Sequence, residues 1–127
     1  MVDKFYNLDR SAIAVLVSGG YGAGWSTWYD SCGLNEYNHD QIALAIDRRI
    51  VEFFIPYTDD GLRIRFPKEK AVELEAFLES IGYHNVFLGG VWDDFHMEEV
   101  SVGDVFWISE CDGNETLYTS KSGMHIA

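Results

Sequence analysis

The sequence predicts an α+β fold: a small, mainly antiparallel sheet with two helices packed on one face. Three observations carry this. An aliphatic run over residues 12–17 ends at glycines and reads as a buried strand. Residues 68–81 place Ala71, Leu74, Phe77, Leu78 and Ile81 on one helical stripe. The second half holds short strand-like runs parted by turn residues, among them Asp112-Gly113. The 127 residues fit one domain, with residues 120–127 expected to be loose.

The elements follow in order. After the strand at 12–17 comes a glycine- and aromatic-rich loop, then an irregular stretch at 30–40. Residues 41–46 are short and apolar. Asp47 reads as the N-cap of a helix over 48–55, with Ile50, Val51, Phe54 and Ile55 facing inward. Asp59-Asp-Gly61 is a turn. Residues 62–66 alternate apolar and basic, which predicts a short strand with Arg63 and Arg65 on one face. Pro67 opens the helix at 68–81 and Gly82 stops it. Strands are expected at 83–88, 95–100, 105–111 and 114–119, the last two as a hairpin.

The loop Ser18-Gly-Gly-Tyr-Gly-Ala-Gly-Trp-Ser-Thr-Trp-Tyr29 carries four glycines among two tryptophans and two tyrosines. Glycines allow close approach, and large aromatics there serve either as a core plug or as a binding surface. A phosphate loop is the first chemistry such a segment raises. Its glycines miss the GxGxxG spacing, however, and no lysine follows as a Walker motif needs. Backbone amides in such a loop can still form an anion nest.

Charge narrows the function further. The formal net charge is −12. Residues 71–127 hold eleven acids against one base, Lys121, whereas residues 1–70 hold ten acids and eight bases. That field disfavours direct nucleic-acid binding, but it would let the chain imitate a nucleic acid. Six of the nine bases lie between residues 48 and 70: Arg48, Arg49, Arg63, Arg65, Lys68 and Lys70. Arginine's planar fork suits phosphate, while pairing with Glu52, Glu69 and Glu73 is the plainer role. No run reaches the roughly 18 apolar residues of a membrane span. No basic region precedes an apolar one at the start, so a cytoplasmic location is expected.

Catalytic and metal signatures are missing. His39, Asp40, His84, Asp93, Asp94 and His96 lack HExxH or EF-hand spacing, so no metal or cofactor is expected. Cys32 and Cys111 form no CxxC pair and are expected as reduced thiols. No GxSxG elbow occurs, and Glu98 and Glu99 point to opposite faces of a strand. What remains is aromatic recognition by Trp25, Trp28, Trp92 and Trp107 with Tyr21 and Tyr29, since base-like rings stack on aromatic faces at about 1–3 kcal/mol each. Combined with Arg48, Arg49, Arg63 or Arg65, these aromatics would suit a nucleotide-like ligand.

The blocks Gly22-Ala-Gly-Trp-Ser-Thr-Trp28, Asp47-Arg-Arg-Ile-Val-Glu52, Gly82-Tyr83, Leu88-Gly-Gly90 and Phe106-Trp-Ile-Ser-Glu-Cys-Asp-Gly-Asn-Glu115 occur in this order. Together they resemble a group of small acidic proteins encoded by bacteriophages and prophages, over most of residues 12–119. The first block is the specific one. Such chains are expected to carry Tyr at the position of Cys111, which argues against a catalytic thiol. The resemblance implies a phage setting and action in a host cytoplasm, often against host defences, as sponges for nucleotide signals or as acidic blockers. It carries over no functional residue.

The function expected is therefore non-catalytic binding of a small anionic, nucleotide-like ligand. Its candidate residues are Tyr21, Gly22, Gly24, Trp25, Trp28, Tyr29, Arg48, Arg49, Arg63 and Arg65. One alternative is an acidic, DNA-mimicking inhibitor of a host nucleic-acid enzyme. The other is an unrecognised small enzyme. Aromatics exposed on so short a chain also make a homodimer reasonable. Whether Trp25 and Trp28 face a ligand or the core stays open at this level.

Overall fold

The computed structural model describes residues 3–29 and 39–119, with only the backbone described for residues 39–42. The predicted loose tail, Cys32, most of the irregular stretch and the side chains of His39 and Asp40 lie outside the described residues. The fold is α+β. Strand β1 (Ala12–Ser18) is followed by helices α1 (His39–Ile46), α2 (Arg48–Phe54) and α3 (Ala71–Ser80), then by strands β2 (Phe95–Ser101), β3 (Phe106–Cys111) and β4 (Asn114–Thr119). Two two-stranded antiparallel sheets form, β1 with β2 and β3 with β4. This is the small antiparallel α+β fold expected, with two two-stranded sheets and three α-helices among the described residues. None of these helices is long and apolar enough to cross a membrane.

The unbroken apolar run of β1 has a physical reason, because both of its faces are covered. Leu16 faces the larger core, with Ile50, Val51 and Phe54 of α2, Leu74 and Leu78 of α3, and Phe95 and Met97 of β2. Ile13, Val15 and Val17 face the smaller core, with Ala45, Ile46 and Val100, against which Phe106, Ile108 and Leu117 of the hairpin pack. A strand buried on one side only would alternate with polar residues. The register of β1 with β2 runs from Ala12 opposite Ser101 to Ser18 opposite Phe95.

Asp47 separates α1 from α2. Its backbone leaves the helical region, and its side chain accepts the Arg49 N–H at 2.9 Å, which caps α2. α2 ends at Phe54, and a 3₁₀ turn with Pro56 continues over Ile55–Tyr57. Ile55, expected inside, is exposed. α3 is preceded by a 3₁₀ turn, Lys68–Lys70. It closes at Gly82 (φ +99°), where the Tyr83 N–H reaches the Leu78 carbonyl at 2.9 Å and the Gly82 N–H reaches that of Glu79 at 3.1 Å. This is the glycine-closed helix end that the sequence implied.

Two predicted strands are corrected. Residues 83–88 form none, and Asn85 at φ +59° breaks the extended run. Residues 62–66 make only isolated bridges, Arg63 to His96 and Ile64 to Thr58. Their alternation survives, with Ile64 and Phe66 buried and Arg63 and Arg65 exposed. The hairpin turns at Asp112-Gly113, with Cys111 opposite Asn114.

Candidate functional site

The glycine-aromatic loop encloses an anion that the chain itself supplies. Glu115 of β4 is 3% exposed. Its Oε1 accepts the Ser18 N–H at 3.0 Å. Its Oε2 accepts the N–H of Trp25 at 2.8 Å, the N–H of Thr27 at 2.9 Å and the Thr27 hydroxyl at 2.6 Å. Three of these donors are backbone amides at the end of β1 and in the loop. Hydrogen bonds to a charged acceptor are worth roughly twice a neutral one. The loop's amides thus form a nest around a carboxylate that the chain itself supplies. A Cβ on Gly24 would stand 2.7 Å from Thr27 Oγ1 and 3.0 Å from Glu115 Oε2, so only glycine fits beside the carboxylate. The hairpin closes on the loop at Gly113, where a Cβ would lie 2.5 Å from the Ala23 nitrogen.

The loop aromatics divide. Trp25 is fully buried. Its indole N–H donates to the Leu44 carbonyl at 2.8 Å, and its rings meet Phe95 and Phe54 edge-on at 5.3 and 6.3 Å. Tyr29 is buried against Tyr83. Both are core residues. Trp28 is half-buried, donates to Glu110 Oε2 at 3.1 Å and meets Phe87 edge-on. Tyr21 and Gly22 are exposed, and the Gly22 N–H donates to the Asp112 carbonyl.

All four candidate arginines face carboxylates. Arg48 pairs with Glu52 at 3.4 Å on the surface of α2. Arg49 grips Asp47 with two nitrogens, at 3.1 and 2.7 Å. Asp47 is almost fully buried and also accepts the Tyr83 hydroxyl at 2.8 Å. Burial alone would raise the Asp47 pKa, but the hydrogen bonds from Arg49 and Tyr83 outweigh it and hold the carboxyl below its ordinary value. Burial, and then the Asp47 hydrogen bond, push the Tyr83 phenol well above its ordinary value. Arg63 pairs with Asp94 at 3.3 Å and Arg65 with Asp59 at 3.4 Å, and both arginines are exposed.

Arg63 and Arg65 line a cleft of about 400 Å³ together with Phe66, Pro67, Trp92 and Asp94. The Trp92 indole N–H donates to the Phe66 carbonyl at 2.8 Å, which fixes the ring plane at the cleft. None of the loop residues 18–29 lines this cleft, and neither does Arg48 or Arg49. The structure therefore separates the loop from the arginines that sequence reasoning had joined. Beside the cleft, His96 directs one ring nitrogen at the Asp94 carbonyl, 2.9 Å away, and the other at Glu98 Oε2, 2.8 Å away. Both partners are acceptors, an arrangement that favours the doubly protonated ring. The Glu98 bond raises the His96 pKa.

Sequence reasoning missed Glu115 and the Tyr83–Asp47 bond, and it named Trp92 among the recognition aromatics without carrying it into the candidate site. Glu115 had one available signal, since it shares a strand face with the apolar Leu117. Among the described residues, no group of three or more His, Cys, Asp or Glu side chains is arranged to hold a metal ion. Cys111 is a free, exposed thiol. Compared with known proteins, the chain matches no family model, no curated protein and no solved structure.

Proposed function

We propose that this protein binds a small anionic, nucleotide-like ligand without turning it over, in the cleft of Arg63, Arg65 and Trp92. The observation that carries this is two exposed guanidinium groups and a fixed indole around one cavity of about 400 Å³. Exposed pairs such as Arg63–Asp94 and Arg65–Asp59 hold at only about 0–1 kcal/mol, so a phosphate can displace the carboxylates. A guanidinium then binds two phosphate oxygens at once, and the indole offers a face to a base. The resemblance to phage-encoded chains supports capture of a host nucleotide signal as the purpose.

Isothermal titration against a panel of cyclic and linear nucleotides tests this. Binding tighter than millimolar is expected, which corresponds to about −4 kcal/mol or better. Arg63→Ala with Arg65→Ala should weaken it at least tenfold. Recovery of unaltered nucleotide distinguishes a sponge from an enzyme. No binding in the millimolar range overturns the reading.

A second reading, an acidic blocker of a host nucleic-acid protein, has its own observation. Residues 71–119 contain no Lys or Arg, and Glu73, Glu75, Glu79, Asp93, Glu99, Glu110 and Asp112 are exposed. Capture of a nucleic-acid enzyme from host lysate, reversed by moderate salt, supports it. Capture indifferent to salt counts against it.

A further inference from the structure

Among the described residues, β3 is an unpaired edge of the hairpin sheet. β3 pairs with β4 alone, and among the described residues no other backbone hydrogen bond reaches residues 106–111. Natural edge strands are usually blunted by lysine, proline or a bulge. β3 reads Phe-Trp-Ile-Ser-Glu-Cys and pairs with β4 in unbroken register. Its one charge, Glu110, is held by the Trp28 indole and the Gly113 N–H at 3.1 and 2.8 Å.

The outer face of the hairpin is aromatic. Trp107 and Tyr118 stand opposite one another in the register and stack at 5.6 Å with 17° between their planes. Trp107 is 42% exposed, and Val105, just before β3, is 68% exposed. The inner face, with Phe106, Ile108 and Leu117, is already spent on the core.

The geometry points to the open edge of β3 as the seat of an extended, basic segment of a partner protein. Its backbone pairs with β3, and its arginine or lysine side chains lie over the Trp107–Tyr118 stack. Charge selects this occupant. Asp104, Glu110 and Asp112 flank or lie on the edge, residues 71–119 offer no base, and a second copy would bring another −12. Strand addition obtains affinity from main-chain hydrogen bonds and specificity from alternate side chains. Cations over exposed aromatic faces add to it. The inference rests on the acidic-blocker reading and names the surface and the segment it uses.

The test is titration of the ¹⁵N-labelled full chain with a capped Arg-Val-Arg-Val-Arg-Val peptide, followed by amide shifts. Shifts concentrated on residues 106–111 are expected. Affinity should fall at least tenfold when alternate amides of the peptide are N-methylated, when Arg is replaced by Glu in the peptide, and in Trp107→Ala. The N-methylated peptide leaves the protein untouched, so that comparison decides even if Trp107→Ala folds poorly. Equal affinity for the N-methylated or acidic peptide, or shifts elsewhere, overturns the inference. So does a dimer that protects the 106–111 amides without peptide. A host protein captured through a footprint away from β3 overturns it while leaving the acidic-blocker reading in place.

Discussion

The backbone N–H of Trp25 donates to the buried carboxylate of Glu115 at 2.8 Å, across ninety positions of sequence. This bond joins the glycine-aromatic loop to the C-terminal hairpin. It explains why the loop needs its glycines, since its amides close on a carboxylate from within the chain.

Removal of that carboxylate should be costly. Glu115→Ala strands the amides of Ser18, Trp25 and Thr27, and each buried orphan costs about 1–3 kcal/mol. A loss of about 3 kcal/mol or more is expected in urea unfolding. Acetate added at high concentration should restore part of it in this variant and nothing in the parent chain. A loss below about 1 kcal/mol would mean that water reaches these amides.

The two loop tryptophans should behave differently. Trp25→Ala empties a fully buried site beside Phe54 and Phe95 and should cost about 3–5 kcal/mol. Trp28→Ala removes a half-buried ring and should cost roughly 1–2 kcal/mol. Denaturation midpoints of the two variants check the order, and reversal of it would contradict the core placement of Trp25.

Asp47 should make stability acid-sensitive. Its folded pKa lies below the unfolded value, so its contribution is fully present above the ordinary carboxylate range near pH 4. It fades as the pH falls through the folded pKa. Asp47→Asn should flatten stability against pH below about pH 4. Tyr83→Phe, which removes one donor to Asp47, should give a smaller change in the same direction.

His96 should have the opposite sign. Its folded pKa is raised by Glu98, so its contribution is fully present below about pH 6.5, the unfolded value. It is lost as the pH rises through the higher folded pKa. His96→Gln should abolish that alkaline-side decline. Imidazole titration by NMR should show a pKa above 6.5 that falls towards it in Glu98→Gln.

Much of the fold was legible because it depends on local chemistry. The Asp47 cap, the Gly82 stop and the Asp112-Gly113 turn each answer to a few neighbouring residues. The stripe of α3 follows from helical periodicity, and the β4 boundaries from the turn before it. Residues 83–88 misled because their apolar pattern has no strand to pair with, and one left-handed residue, Asn85, ends the extension. The candidate site was less legible. Arg63 and Arg65 were found with their shared exposure, but their aromatic neighbour is Trp92, not the tryptophans of the loop.

The sequence by itself determined the α+β class, most element boundaries, the uneven charge and a glycine-rich loop whose amides can receive an anion. Those properties follow from residue types and short spacings. Only the tertiary structure decided what fills the loop, which tryptophan is core and which arginines share a cleft. Each of those outcomes depends on residues far apart in the chain, such as Ser18 and Glu115. Local spacing says that a nest of amides needs an anion, whereas burial and chain topology choose whether that anion comes from solvent or from the chain itself.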